Sequence, residues 1–111
     1  MYKRQADEGI LSIGVDSNQN YLHPGQVLTS MVKRVDNAVY EAFVAGTELQ
    51  PGIAVMDLKA GGVDWALDEH NAALVTDAMK AEVEAAAEKI KSGELVVHDY
   101  MSDNTCPAAS F

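Results

Sequence analysis

The sequence predicts an α/β fold built on a parallel sheet. Three observations carry this: short apolar runs of strand length, an amphipathic stretch of helical period between them, and polar turn clusters at the junctions. The first run is Ile10-Leu11-Ser12-Ile13-Gly14-Val15, which ends at Asp16. It is apolar nearly throughout, as expected of a parallel strand covered on both faces. Residues 17–26 carry Asn18, Asn20, Pro24 and Gly25, so they form a loop. Val27 to Val32 is a second strand, closed by Lys33-Arg34.

At Val35 the period changes. Val35, Val39, Ala42, Phe43 and Gly46 recur at helical spacing, which predicts an amphipathic helix over 35–46. After Gln50-Pro51-Gly52, Ile53 to Leu58 reads as a strand. Lys59-Ala60-Gly61-Gly62 then turns it into Val63 to Leu67 as a hairpin. Thr76 caps a helix with Asp77 in its first turn, an apolar stripe of Met79, Val83, Ala86 and Ile90, and Gly93 as its stop. Leu95-Val96-Val97 is a short β-prone piece, and 98–111 is a polar tail without periodicity. Met31, Met56 and Met79 fall within the apolar pattern and are expected as core filler.

The 111 residues suit one small domain. Eight Lys+Arg against seventeen Asp+Glu give a net charge of -9, a field that repels phosphate backbones and anionic lipid, so nucleic acid is not an expected partner. The first residues include Lys3 and Arg4 but no apolar run follows them, so no secretory signal is read there. The single cysteine, Cys106, has no intrachain partner and no surrounding His and Asn/Asp arrangement, which makes it a free or intermolecular thiol on a tail.

Several motifs fail on inspection. Asp16-Ser17-Asn18-Gln19-Asn20 begins like a calcium loop, yet Tyr21 stands where the turn glycine is needed and Val27 where the bidentate Glu is needed. Asp68-Glu69-His70 lacks a second His at helical zinc spacing and reads as a solvated loop. Gly61-Gly62 lies between two strand-like runs, not between strand and helix, so it is a turn and not a phosphate cradle. No nucleophile, base and orienting group assemble from these residues, so no enzymatic activity, metal or cofactor is expected.

A polar constellation at strand ends remains: Asp16 after the first strand and Lys33-Arg34 after the second. Ligands of open α/β sheets bind outside the carboxyl ends of the strands. A carboxylate there can accept two sugar hydroxyls while an ammonium donates to the same or a neighbouring one. Residue chemistry alone leaves the alternative open that Asp16 caps its own loop and Lys33 is a solvated charge.

The stretch Ile13-Gly14-Val15-Asp16-Ser17-Asn18-Gln19, then Pro24 to Asp36, resembles a segment of the basic membrane lipoprotein family. So does Leu58-Lys59-Ala60-Gly61-Gly62-Val63, followed by the helix ending Lys89-Ile90-Lys91-Ser92-Gly93. The resemblance runs in order from Gly9 to Val97. It implies the C-terminal lobe of a type I periplasmic-binding-protein-like, Rossmann-like fold, spanning 1–97 with the helix near 35–46 crossing the hinge and 98–111 as tail.

Members of that family are exported receptors whose two lobes close on a solute, purine nucleosides among them, and deliver it to an ABC transporter permease. By resemblance Asp16 matches a cleft aspartate that contacts ribose hydroxyls and Lys33 a lysine on the same side, with Ser17 and Arg34 as further candidates. Where Asn18 stands the family pattern often has an acidic residue, so no charge-based role is carried onto it.

The first lobe, its base-sandwiching aromatic residues and an export signal are not in this sequence. A truncated fragment of a periplasmic or membrane-anchored parent is therefore expected, one that binds solute weakly by itself. A small interaction or regulatory module reusing the lobe is the alternative. The apolar faces of the 35–46 helix, including Tyr40, Phe43 and Val44, predict self-association as a homodimer by helix exchange.

Overall fold

The computed structural model describes residues 2–102 and 104–105. Cys106 lies outside them. A short helix, α1 (Tyr2–Asp7), precedes the first strand and was not anticipated. Its turn closes where the Ile10 N–H donates to the Gln5 carbonyl at 2.9 Å.

Strands β1 (Ser12–Asp16), β2 (Val27–Lys33) and β3 (Val63–Trp65) form one sheet in the order β1-β2-β3. β1 and β2 are parallel, with Gly14 opposite Ser30 and Asp16 opposite Val32. Both expected strands and their parallel pairing therefore stand. The residues between them make only a 3-10 turn at Asn20–Leu22.

The expected hairpin is corrected. Val63 to Trp65 pairs antiparallel with β2, Met31 opposite Trp65 and Lys33 opposite Val63, and not with residues 53–58. The run from Ile53 is not a strand. Its strand propensity finds no ladder, since Val63 to Trp65 pairs with β2 on its other side. The turn itself is present: the Gly62 N–H donates to the Asp57 carbonyl at 2.8 Å. Leu95 to Val97 is likewise not a strand. The Leu95 N–H instead folds back onto the Lys89 carbonyl at 3.0 Å, closing the end of the preceding helix.

Helices α2 (Val35–Ala45) and α3 (Asp77–Ser92) fall where the periodicity predicts. α3 starts on Thr76, whose hydroxyl accepts the Met79 N–H at 3.2 Å, and stops at Gly93 in the left-handed conformation that glycine adopts without a Cβ clash. Its apolar stripe, with Val83, Ala86 and Ile90, faces Met31, Leu58 and Trp65 across an open apolar groove. In α2 the small residues Ala38, Ala42 and Ala45 line a cavity with Leu49, Ala54 and Met56. The bulky side turns outward, and Phe43 is 83% exposed.

The best-packed point of the molecule is polar. Val27 is the buried apolar residue among those described, and around it Asn20, Ser30 and Asn71 are fully buried. Ile13, Val15 and Met31 stay about half exposed. Two of the methionines are thus corrected as core filler: Met31, on the open groove between the sheet and α3, is 47% exposed and Met79, on α3, is 41% exposed, whereas Met56 is half-buried.

Candidate functional site

β1 and β2 end side by side, which brings Asp16 and Lys33 together. Lys33 Nζ lies 2.7 Å from Asp16 Oδ1, and both side chains are about two-thirds exposed, 67% and 65%. Such a pair in water contributes little to stability. Its position matters more, because it stands at the carboxyl ends of two parallel strands, where open α/β sheets present ligand-binding groups.

Asp16 has φ 75, the positive-φ residue other than glycine among those described. An L-residue in that conformation costs on the order of 1–2 kcal/mol, and it persists where neighbouring structure fixes it. The fixing is visible in the following residues. Gln19 donates its backbone N–H to Ser30 Oγ at 3.0 Å and its side-chain amide to the Val15 carbonyl at 2.9 Å. Ser30 Oγ donates to Asn20 Oδ1 at 2.8 Å. Asn18 and Asn20 donate from their side-chain amides to Asp68 Oδ2 at 2.7 and 3.0 Å. The other oxygen of Asp68 accepts the His70 N–H at 2.8 Å.

The Asp68 loop is secured in turn by Asn71. Its amide donates to the carbonyls of Leu28 (2.8 Å) and Ala66 (2.9 Å), and its oxygen accepts the Asp68 N–H at 2.8 Å. The reading of Asp68-Glu69-His70 as a solvated loop is therefore corrected for Asp68, which is half-buried and bonded to three N–H donors. The Asn18 amide bond above all, opposed by burial and helped by the His70 N–H and Asn20, holds its carboxyl below the usual carboxylate range. Asp68, Glu69 and His70 do place ligand atoms within 4.8 Å of one another. Asp68 already spends its oxygens on amides, however, and Glu69 is exposed.

Ser17 follows Asp16 on the exposed turn. Arg34 grips Asp36 through two nitrogens, Nε to Oδ1 at 3.0 Å and Nη2 to Oδ2 at 2.8 Å, and reaches Asn37 Oδ1 at 3.3 Å. The hydrogen bond to Asp36, then its charge, raise the Arg34 pKa, with Asp64 adding to the effect. Arg34 also lines a cleft of about 290 Å³ with Asn18, Val32, Asp64, Trp65, Ala66 and Leu67. Asn37 continues the chain of contacts to the Gly61 carbonyl at 2.9 Å, and the Arg34 N–H meets the Gly62 carbonyl at 2.9 Å. The start of α2 is thus tied to the glycine turn.

Of the four residues expected at the site, the fold brings Asp16 and Lys33 into contact, leaves Ser17 beside them and engages Arg34 with α2. Sequence inspection did not find the supporting network of Asn18, Asn20, Ser30, Asp68 and Asn71. Its asparagines look like ordinary turn formers, and Asp68 lies 50 and 48 positions from its amide donors.

The structure matches an ABC transporter system solute-binding protein of Aeropyrum pernix K1 with a TM-score of 0.61 and 25% identity, over 90% of this chain and 37% of that one. This is part of a periplasmic-binding-protein-like fold. Residues 1–100 match the Bmp family, described as ABC transporter substrate-binding protein PnrA-like, and the chain belongs to that family. An uncharacterized lipoprotein of Pyrococcus furiosus is 39% identical over 70 residues, 60% of this chain and 18% of that protein. The chain thus spans about a fifth of that relative's length and 37% of the solved one. The family is a substrate-binding one and not a catalytic one.

Proposed function

We propose that this chain serves as one lobe of a solute receptor for an ABC transporter, and that Asp16 and Lys33 take neighbouring hydroxyls of a nucleoside or similar uncharged solute. The observation that carries this is the exposed 2.7 Å pair at adjacent parallel strand ends. One Lys33 N–H is spent on Asp16, which leaves two donors and the second carboxylate oxygen for a ligand. A vicinal diol fits such a group, because each hydroxyl both donates and accepts. The pair is neutral as a unit and Arg34 is matched by Asp36, so a phosphorylated solute finds no spare cation here.

In this reading residues 1–97 form the lobe, α2 crosses the hinge, 98–111 is a tail, and the ligand is held without chemistry. Ser17 and Arg34 stand at the rim. The family and the lipoprotein relative support an exported, membrane-anchored or periplasmic parent that docks on a permease. The outward side of α2, with Tyr40, Phe43 and Val44 exposed, supports self-association of the chain as a homodimer.

Calorimetry with inosine, guanosine and adenosine on a receptor holding both lobes tests the site. A hydrogen bond to a charged group contributes about 1.5–3 kcal/mol, so Asp16→Ala weakens binding by roughly ten- to a hundredfold. The 111-residue chain alone, offering one wall of a cleft, binds no nucleoside at micromolar concentration. An unchanged Kd in Asp16→Ala removes Asp16 from the site.

A further inference from the structure

We infer that Asp68 is the positioning residue of the Asp16–Lys33 pair, acting through Asn18 and Asn20 on the loop that follows β1. As a statement about ligand binding it rests on the function proposed above; as a statement about geometry it does not.

Asp16 sits at the point where the chain leaves the sheet, in the left-handed region, which aspartate enters more readily than most residues but as a single residue held by local hydrogen bonds. Whatever fixes residues 18–20 therefore fixes the direction of the Asp16 carboxylate. Two devices do so. Ser30, from the neighbouring strand, accepts the Gln19 N–H and donates to the Asn20 side-chain oxygen. Asp68, from the loop after β3, takes the amides of Asn18 and Asn20 on a single oxygen.

The Ser30 contacts lie within the β1–β2 unit. Asp68 ties the loop after β1 to the loop after β3, and that second loop is itself bonded to β2 through the Asn71 amide on the Leu28 carbonyl. The Asn18 oxygen also accepts the Asn20 N–H at 3.0 Å, so the Asn18 side chain is oriented from both ends. Asp68 is a carboxylate with N–H donors on both oxygens, which an asparagine cannot reproduce: turned one way its NH₂ faces the Asn18 and Asn20 amides, turned the other way it faces the His70 N–H. Charge-assisted bonds of this kind are shorter and stronger than those between neutral groups. The 2.7 Å contact to Asn18 fits that description.

The test uses the 111-residue chain and nuclear magnetic resonance. Asp68→Asn speeds amide exchange at Gln19 and Asn20 by tenfold or more, leaves α3 amides such as Ile90 unchanged, and moves the one-bond Cα–Hα coupling of Asp16 toward its extended-chain value. Exchanging the polarity in the double variant Asp68→Asn, Asn18→Asp restores the Asn18 contact with donor and acceptor reversed, and it brings both readouts back toward wild type. Should Asp68→Asn fail to fold, Asn18→Ala removes one arm at an exposed position and gives a smaller change in the same direction.

Uniform acceleration that includes α3 overturns the inference, since Asp68 would then be a general stability residue. An unchanged Asp16 coupling in either single variant overturns it as well. The nucleoside titration of Asp16→Ala is a separate measurement: its failure removes the binding site and leaves the loop geometry standing.

Discussion

Asn71→Ala removes three hydrogen bonds at a fully buried position. The amide loses the carbonyls of Leu28 and Ala66, and the Asp68 N–H loses its acceptor. The three losses are unequal. The Ala66 carbonyl keeps the Thr29 hydroxyl at 2.8 Å, whereas the Asp68 N–H has been turned inward toward Asn71. A net value of about 1 kcal/mol per bond, with a further contribution from the void left by the amide, gives a loss of about 3–4 kcal/mol.

Small domains have roughly 5–15 kcal/mol in total, so the change is a large share of it. At roughly 4–8 °C per kcal/mol for a domain near this size, melting followed by circular dichroism falls by at least about 12 °C. Glu82→Ala, on the exposed side of α3, is the control and stays within about 0.5 kcal/mol. A loss below about 1 kcal/mol for Asn71→Ala would refute the reasoning, because the buried amide would then be no better bonded than an amide in water.

Three further outcomes are expected. Gly14→Ala drives its new Cβ into Ser30 Oγ and breaks the bonds of that hydroxyl to Gln19 and Asn20, at a cost of about 1–3 kcal/mol, read as a lower urea midpoint with an unchanged slope. The depressed Asp68 pKa means that its stabilisation is complete above the ordinary aspartate range and fades as pH falls through the lower folded value; in Asp68→Asn this acid-side loss disappears from a pH series of melting curves. Sedimentation equilibrium finds a species heavier than 11.9 kDa at high micromolar concentration, shifted toward monomer or aggregate by Phe43→Glu and unaffected by Lys91→Glu, whereas a persistent monomer rules self-association out.

The sequence by itself determined the elements whose causes are local. The Thr76 cap and the Gly93 stop bound α3 because both act within one turn. The apolar runs before Asp16 and Lys33 became β1 and β2, and their parallel alignment set the two charged residues side by side. Family membership was also legible, since it rests on residue order alone. The tertiary structure decided everything that needed a partner. Residues 53–58 have strand propensity but no ladder, while their expected partner, Val63 to Trp65, pairs with β2. Asp68 looked like a solvated charge because a carboxylate's environment is not encoded in its neighbours in sequence; amides 48 and 50 positions away made it a clamp. Asn20, Ser30 and Asn71 became the buried centre for the same reason: a polar side chain is buried only where the fold supplies its hydrogen-bond partners, and those partners come from distant parts of the chain.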